Sequence, residues 1–500
     1  MDFANAMINE STKTYTENGA KAFNTTTDAL VDLFAICGAM RNRSEREIIN
    51  KFEAAFRENA LLATKMLFYI GNIRGGLGER RTFRICLKWL ANKHPGVVLK
   101  NIHYIAFFNR WDSIFELINT PIENSMWSLV HATLLNDIGT VVKCVVNNEQ
   151  PQISLLAKWL PSENASSKKT RKLARYAISK LELSPKNYRK MLSTLRRVLK
   201  IVERDMSLNQ WDNIYYPGVP SYAMKNYFTA FMKHSEERFN QYLEQLKNNK
   251  TTINSKVLFP SDLVRDYWNI NRCKDTNDVL EQQWKNLPNF ISGENNIVVM
   301  ADVSGSMSMC SGFKPIYSAI GLAIYFAQRN KGAYHNLFMT FSEKPYFMKL
   351  DENGDLKDAI NKVMHSCWNM NTDLNLAMKT ILKVAKENNI SPEEMPKALC
   401  VITDMEIDEY DTWSDKSFIS WDYSQNLKNI FEEAGYALPK LVFWNVNSKK
   451  DTYLTKDEGT ILVSGHSTSI FKTVINNLDQ TAYNTMLNVL NDSMYDCITI

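Results

Sequence analysis

Apolar and polar positions follow two different patterns along the chain, and the change lies near residue 290. Before it, stretches such as "EREIINKFEAAFRENALLATKMLFYIGNIR" carry apolar residues at the three- and four-residue spacing of one helix face. Pro95 and Pro121 break two further stretches of this kind. Helical segments of roughly 12 to 20 residues, joined by short breaks, predict an array of helix pairs without a fixed-period repeat.

Residues 291–500 alternate between strand and helix patterns. The strand patterns are "NNIVVMADVS", "YHNLFMTFSE", "PYFMKL", "KALCVITDM", "KLVFWNVNS" and "TILVSG". Strands separated by helices predict a largely parallel, doubly wound sheet covered on both faces. We therefore expect an α+β chain of two domains. Residues 1–290 form an all-α, HEAT-like helical-repeat region, and residues 291–500 form a doubly wound α/β domain.

Composition is typical of a globular protein, with 45% hydrophobic and 23% charged residues among 500. The eight cysteines include no CxxC pair, which argues against a zinc module and favours reduced thiols inside the cell. No apolar run reaches the roughly 18 residues that would span a bilayer, and the polar N-terminal segment does not resemble a secretory signal. We expect a cytoplasmic protein without a membrane partner.

The net charge of +5 is unevenly distributed. Residues 151–250 contain 19 Lys and Arg against 8 Asp and Glu, whereas residues 401–450 contain 5 against 9. This asymmetry suggests different partners for the two halves, although solvated helix faces would explain it equally well.

The stretch "DVSGS" places Asp302, Ser304 and Ser306 directly after a predicted strand. Asp404 follows another predicted strand, and Thr372 begins a predicted helix. In open α/β sheets, ligands bind outside the carboxyl ends of the strands. Carboxylates and hydroxyls are hard oxygen donors, which suit Mg²⁺ first and Ca²⁺ or Mn²⁺ as alternatives.

This constellation resembles the metal-ion-dependent adhesion site (MIDAS) of von Willebrand factor A (vWA) domains, where DxSxS is followed by a threonine and then an aspartate. The resemblance implies a divalent cation held by Asp302, Ser304, Ser306, Thr372 and Asp404, with an open position for an acidic residue of a protein partner. At the Thr372 position, Asp373 or Ser366 could compete. The alternative is that both serines merely cap the next helix.

The segment "NIRGGLGERRTFRICLKWLANKHP", followed by "NIHYIAFFNRWDSIFELI", resembles the TROVE modules of the Ro autoantigen and of telomerase- and vault-associated proteins, which are helical rings that bind RNA. The closer resemblance is to an uncharacterised family of plants, fungi and large DNA viruses that joins such a region to a C-terminal vWA domain. "LAKWLPSENASSKKTRKLA", "YRKMLSTLRRVLKIVE" and "VPSYAMKNYFTAFMKH" resemble its characteristic segments. The family implies an architecture and no reaction.

Two clusters of cations are candidates for RNA phosphates, because Lys and Arg contacts give salt-dependent affinity. Tyr176 and Tyr188 lie among them but are more typical of core packing than of stacking. The candidates are Arg74, Arg80, Arg81 and Arg84 in one cluster, and Lys168, Lys169, Arg171, Lys172, Arg175, Arg189, Lys190, Arg196 and Arg197 in the other.

No set of residues indicates catalysis. "GNIRGGLGER" lacks the GK[ST] ending of a phosphate-binding loop, and His365 and His466 are isolated. Asp404, Glu406 and Asp408 could suggest a phosphatase-like cluster, but the nucleophile and lysine of such enzymes are missing. We therefore expect no enzyme.

The leading hypothesis is a binding protein whose helical half binds RNA or a ribonucleoprotein and whose C-terminal half binds a protein through a divalent cation. The first alternative is a protein-interaction scaffold without RNA, packaged in a virus particle if the source is viral. The second is a metal-dependent hydrolase built on the same aspartates.

Overall fold

The fold is known from a computed structural model that describes residues 7, 10–17, 19, 21–268, 277–308, 313–341, 345–364, 374–407, 423–454 and 460–500. The strands within these ranges are β1 (Lys13–Tyr15), β2 (Lys21–Phe23), β3 (Ile297–Asp302), β4 (Leu337–Phe341), β5 (Tyr346–Lys349), β6 (Ala398–Thr403), β7 (Lys440–Asn445) and β8 (Thr460–Ser464).

The α-helices fall into two groups along the chain. Those of the N-terminal half are α1 (Ala29–Ile36), α2 (Glu45–Glu58), α3 (Ala60–Gly71), α4 (Arg80–Lys93), α5 (Pro95–Asn101), α6 (Ile105–Phe108), α7 (Glu123–Asn147), α8 (Leu156–Trp159), α9 (Lys168–Lys180), α10 (Pro185–Val198), α11 (Val202–Ser207), α12 (Ser221–Asn226), α13 (Phe228–His234), α14 (Glu236–Lys247), α15 (Pro260–Trp268) and α16 (Asn277–Lys285). Those of the C-terminal half are α17 (Ile316–Arg329), α18 (Leu356–Met364), α19 (Leu374–Glu387), α20 (Tyr423–Glu433), α21 (Ile470–Asn476) and α22 (Ala482–Leu490).

The N-terminal half is mostly helical, as the apolar spacing predicts. Ser44 caps α2 in a capping box with Glu47, and Phe52 and Phe56 lie on its buried face. The helical pattern does not continue without a break. Asn59 ends α2 and at once caps α3, where its side chain accepts a hydrogen bond from the Leu62 N–H at 3.0 Å.

The C-terminal half is built on one six-stranded sheet with the order β5-β4-β3-β6-β7-β8. Every neighbouring pair is parallel except β4 and β5, so the expectation of a parallel-rich sheet is confirmed. From β3 the chain continues to β4 on one side and later returns to β6 on the other side. This arrangement places a topological switch point between β3 and β6, where open sheets form ligand crevices.

The expectation that residues 1–290 are all-α is wrong at the N-terminal end. β1 and β2 pair as an antiparallel hairpin, and Phe23 exchanges two backbone hydrogen bonds with Tyr453 of the C-terminal half, at 2.8 and 2.9 Å. Strands of three residues are too short to show a period of two in the sequence. Their partner segment is also distant along the chain.

The two halves share one hydrophobic core. A continuous cluster of buried residues extends from α1 and α3 to the sheet, and a second cluster lies within residues 202–279. Gly38 lies so close to the end of β8 that a Cβ atom there would be 2.3 Å from the Ser464 carbonyl oxygen. The division of the chain into two domains between residues 290 and 291 stays a prediction from the sequence.

α7 is the one helix within the described residues that is long and apolar enough to cross a membrane by length and composition. Met126, Trp127, Val130 and Leu134 on its N-terminal part are buried in the protein, whereas Val142, Val145 and Val146 near its C-terminal end are exposed. Core helices meet the same criterion, so length and hydropathy alone do not assign α7 to a membrane.

Candidate metal site and nucleic-acid interface

Two neighbouring strand ends bring the predicted aspartates together. β3 ends at Asp302, and the adjacent parallel strand β6 ends at Thr403, directly before Asp404. Asp302 Oδ2 accepts a hydrogen bond from the Thr403 hydroxyl at 2.6 Å, and Oδ1 accepts one from the Ser304 N–H at 2.8 Å. Parallel pairing therefore fixes both carboxylates at one edge of the sheet.

The two serines connect these strand ends. Ser304 Oγ lies 3.1 Å from Ser306 Oγ, and Ser306 donates to Asp404 Oδ1 at 3.3 Å. The Ser304 side chain makes no capping hydrogen bond to the short 3₁₀ turn Gly305–Met307 that follows it. The serine hydroxyls thus point toward the carboxylates and not toward a helix end.

Burial makes this carboxylate pair electrostatically costly. The exposed fraction is 0% for Asp302 and 1% for Asp404. Burial, and secondly the charge of Asp404, raise the pKa of Asp302 to about 7. Lys449 Nζ lies 3.1 Å from Asp404 Oδ2 and supplies one positive charge. Burial also raises the pKa of Glu406, and the charges of Asp404 and Glu17 raise it further.

The donor set fits a hard divalent cation. Two buried carboxylates and two hydroxyls converge at the strand ends, and a second positive charge would relieve their repulsion. Within the described ranges, no three His, Cys, Asp or Glu side chains form a metal-binding group. Hydroxyls would therefore have to complete a coordination shell that the two carboxylates begin.

Several residues named from the sequence lie outside the described residues. Thr372 is one of them, together with its competitors Asp373 and Ser366. Asp408 and His365 lie outside as well. The contribution of the Thr372 segment to the cation site stays a prediction.

His466 is buried and has a structural environment. Its Nδ1 lies 2.6 Å from the Ser318 hydroxyl, and its ring packs near Phe259 and Phe313. Burial, and secondly the charge of Arg41, lower the pKa of His466 well below its usual value. A neutral imidazole enclosed in this way favours packing over proton transfer to a bound molecule.

A cavity of about 1820 Å³ opens between the helices of the N-terminal half and the loop that follows β8. Basic side chains on its wall outnumber acidic ones, and aromatic rings lie between them. The basic residues are Arg41, Arg74, Arg80, Arg81, Arg84, Lys88, Lys93, Arg110, Lys158, Lys256 and Arg265; the acidic ones are Glu45, Glu79, Glu116, Glu203 and Asp262.

α4 supplies the basic wall because the helix is amphipathic. Phe83 and Leu87 on one face are buried, whereas Arg80, Arg84 and Lys88 follow one another at four-residue spacing on the face toward the cavity. The predicted cluster of Arg74, Arg80, Arg81 and Arg84 thus lines one surface.

These arginines differ in how they are engaged. Arg84 forms an ion pair with Asp112 at 2.7 Å, and Arg81 donates to the Arg43 carbonyl at 2.8 Å. The Arg80 side chain forms no hydrogen bond or ion pair with the described residues, and burial, followed by repulsion from Arg110, lowers its pKa. An anion in the cavity would relieve this repulsion.

Aromatic residues on the cavity wall offer contact surfaces for planar groups. Phe107 is 55% exposed, and the Arg74 guanidinium lies 5.7 Å from its ring centroid. Arg110 lies 4.0 Å from the Trp159 ring centroid. Exposed rings beside cations are the combination that single-stranded nucleic acids bind.

The second predicted cluster lies on the outer faces of α9 and α10 and does not line the cavity. Lys168, Lys169, Lys172, Arg175, Arg189, Lys190 and Arg197 are exposed. The other two form local contacts. Arg196 donates to the Ala157 and Leu160 carbonyls, and Arg171 donates to the Ala165 carbonyl.

The tyrosines of this region are structural. Tyr188 is buried and donates to the Pro161 carbonyl at 2.8 Å, and Tyr176 packs against Trp127 and donates to Glu123. Neither offers a free stacking surface.

Two family models match the chain. One is a domain of unknown function, DUF2828, which matches residues 16–112 and 128–295, more than half of the chain. The chain belongs to the DUF2828 family. The second model, DUF7788, is also a domain of unknown function, and it matches residues 296–493 of this DUF2828 protein.

An uncharacterised protein of Acanthamoeba polyphaga mimivirus is 29% identical to this DUF2828 protein over 511 residues, which cover 95% of this chain and 87% of that protein. The crystal structure of the Ro (RSR) protein of Deinococcus radiodurans superposes with a TM-score of 0.37 and 12% identity over 93% of this chain and 99% of that one. A superposition this loose carries no structural argument. The resemblances to vWA domains and TROVE modules stay expectations from motifs.

Sequence reasoning missed several residues at both sites of this DUF2828 chain. Lys449 and Glu17 reach the carboxylate site from segments far from the aspartates, and no local pattern marks them. Thr403 directly precedes Asp404 at the same strand end, so its position next to Asp404 could have identified it as a site residue from the sequence. Phe107 and Arg110 lie in an ordinary helical pattern, and only the tertiary arrangement directs them to the cavity.

Proposed function

We propose that this DUF2828 protein is a non-enzymatic binding protein that holds single-stranded RNA, free or within a ribonucleoprotein, in its basic cavity. At the ends of β3 and β6 it holds a divalent cation that captures an acidic group of a protein partner. The observation that carries the proposal is the wall of the cavity, which contains both the α4 cations and the exposed Phe107 ring.

The size and charge of the cavity favour an extended polyanion over a small metabolite. Pockets for small ligands usually have volumes of roughly 300 to 1000 Å³, and this cavity has about 1820 Å³. Lys and Arg neutralise phosphates, and rings such as Phe107 stack on bases that are not paired. A nucleic-acid strand with unpaired bases offers phosphates to the cations of the cavity wall and bases to its aromatic rings.

At the strand ends, Asp302, Ser304, Ser306 and Asp404 would hold the cation, with Thr372 expected to join them from the sequence motif. Mg²⁺ suits these oxygen donors, and Ca²⁺ or Mn²⁺ would suit them too. When bound, the cation supplies positive charge and an open position for a carboxylate. The protein's own part is to hold two carboxylates out of water, so that they remain available to the ion.

The RNA proposal is tested with the full chain and a fluorescent 12-nucleotide oligouridine, compared with a duplex RNA of equal length over a series of KCl concentrations. We expect the single strand to bind more tightly than the duplex, with log Kd rising linearly with log salt concentration. Absence of binding, or a Kd that does not depend on salt, would favour a scaffold that binds only protein.

The cation proposal is tested by titrating the protein with Mn²⁺ and following free Mn²⁺ by electron paramagnetic resonance. We expect one strong site per chain that is lost in Asp404→Asn and kept in Asp479→Asn, an exposed acid at a distance from the crevice. Equal Mn²⁺ binding by both variants would refute a site at the strand ends.

A further inference from the structure

The loop of the N-terminal hairpin lies on the edge of the carboxylate site. Thr16 and Glu17 directly follow β1. The Thr16 hydroxyl donates to the Ile407 carbonyl at 2.6 Å, and the Glu17 N–H donates to Glu406 Oε2 at 2.5 Å. Both acceptors follow Asp404 in the sequence, so this dipeptide binds to the segment that carries one of the candidate cation ligands.

Two consecutive lysines bind the carboxylate of the same dipeptide. Lys450 Nζ lies 3.3 Å from Glu17 Oε1, and Lys449 Nζ lies 3.8 Å from Glu17 Oε2. Lys449 is also 3.1 Å from Asp404 Oδ2. One lysine therefore connects the buried carboxylate pair to an acidic side chain that arrives from another part of the chain. We call Glu406, Ile407, Lys449 and Lys450 the acid-binding rim.

We propose that the acid-binding rim recognises a partner segment in which Ser or Thr precedes an acidic residue, and that Thr16–Glu17 is this chain's own copy of that segment. Each group of the dipeptide meets a distinct part of the rim. The hydroxyl meets a backbone carbonyl, the N–H meets the Glu406 carboxylate, and the acid meets the lysine pair. This inference rests on the proposed capture of a protein partner at this edge of the sheet.

The internal copy can leave the rim without unfolding the hairpin. The hairpin is attached elsewhere by the backbone pairing of Phe23 with Tyr453. Its two arms are held to each other by the β1–β2 pairing and by the Asn24 N–H, which donates to the Thr12 carbonyl at 2.8 Å. Glu17 and Lys450 are both partly exposed, and exposed ion pairs of this kind are weak. A tethered ligand acts through its high effective concentration, so a partner has to compete with it.

The test uses the full chain in chelator, so that it does not depend on the cation. The probe is a fluorescent peptide with the sequence TYTENG, which matches residues 14–19, and TYTQNG serves as the neutral control. Binding is measured by fluorescence anisotropy for the wild type and Glu17→Gln. Glu10→Gln is the matched control, because Glu10 pairs with Lys13 and not with the rim. Lys449→Ala/Lys450→Ala is compared with Lys440→Ala, since Lys440 pairs with Asp479.

We expect Glu17→Gln to bind TYTENG about tenfold more tightly than the wild type and Glu10→Gln do, since the internal competitor is removed. Binding should disappear in the double lysine variant, persist in Lys440→Ala and be weak for TYTQNG. Equal affinity in the wild type and Glu17→Gln, or unchanged affinity without the two lysines, would overturn the inference. Because the assay contains chelator and no RNA, its failure is distinct from a failure of the Mn²⁺ or oligouridine experiments.

Discussion

The cavity concentrates positive charges on a surface that water reaches, whereas the carboxylate site concentrates negative charges away from water. The cavity cations lie on an open wall where water still reaches them, whereas Asp302 and Asp404 are almost fully removed from solvent. Exposed charges cost little stability and give binding that depends on salt. Buried like charges raise a pKa and cost stability until a counter-ion arrives. Ligand binding should therefore stabilise the fold strongly at the carboxylate site and weakly in the cavity.

The sharpest test of this difference is Asp302→Asn in chelator, for which we expect higher stability than the wild type. The pKa of Asp302 is raised from 3.8 to about 7, so the folded form keeps a proton that the unfolded chain releases. Wild-type stability should fall as the pH rises from about 4 to 7, and the variant should lack this loss. The gain should be about 2–4 kcal/mol at pH 8 and smaller at pH 5, measured by urea unfolding.

Asp479→Asn serves as the control, since Asp479 is exposed, and its stability should match the wild type at both pH values. A variant Asp302→Asn that is less stable than the wild type at pH 8 in chelator would contradict the comparison. It would mean that the hydrogen bonds from Thr403 and Ser304 outweigh the cost of burial.

Phe107→Ala tests the aromatic part of the cavity. We expect the variant to lose about 1–3 kcal/mol of oligouridine binding, the usual contribution of one stacked base. Its stability should change little, because more than half of the side chain is exposed. Tyr483→Ala removes an exposed ring of α22 that does not line the cavity, and its affinity should be unchanged. If both variants bind alike, Phe107 does not contact the RNA.

Two double variants test whether RNA binds in the cavity or on the outer faces of α9 and α10. Arg80→Gln/Lys88→Gln removes two cavity cations, and Lys168→Gln/Lys172→Gln removes two exposed cations of α9. The cavity variant should bind oligouridine about tenfold more weakly, and its salt slope should fall by about 1.4, or roughly 0.7 per lost phosphate contact. The α9 variant should keep the wild-type slope, and the reverse result would move the RNA to the outer surface.

The smallest expected effect is at the lysine of the carboxylate site. Lys449 places a positive charge 3.1 Å from Asp404 Oδ2, which opposes a divalent cation. Lys449→Met should therefore strengthen Mn²⁺ binding about threefold to tenfold, consistent with ion pairs that are worth roughly 1 kcal/mol. Lys440→Met, at the first residue of β7, should leave the Mn²⁺ affinity unchanged. Weaker Mn²⁺ binding in Lys449→Met would show that the lysine supports the site.

The sequence alone was sufficient to predict the features that depend on local hydrophobic periodicity, which indicates a strand or a helix. The buried strands that end at Asp302 and Thr403 have continuous apolar runs, and parallel pairing then requires the polar residues after them to meet at one edge. The amphipathic pattern of α4 likewise separates Phe83 from Arg80. Both sites were therefore accessible in outline from the order of elements and the residues at their ends.

Other features depend on contacts between distant segments, for which a single sequence has no local signal. Glu17 meets Glu406 across 389 positions of sequence, and Lys449 meets Asp404 across a strand and a helix. The basic run on α9 and α10 looked equivalent to the cluster on α4, but only the folded arrangement shows that Arg196 caps carbonyl groups while Arg80 lines a cavity.

The pairing of the N-terminal hairpin with the segment around Tyr453 also affects when the N-terminal segment can fold during synthesis. The Tyr453 hydroxyl donates to the Asp32 carbonyl across 421 positions of sequence. During synthesis, the hairpin and α1 leave the ribosome long before their partners exist, and contacts of such separation form slowly. α1 can pack on α2 early, but the part of its surface that contacts β8 has no partner until that strand is made. We therefore expect chaperones to bind this early segment during synthesis.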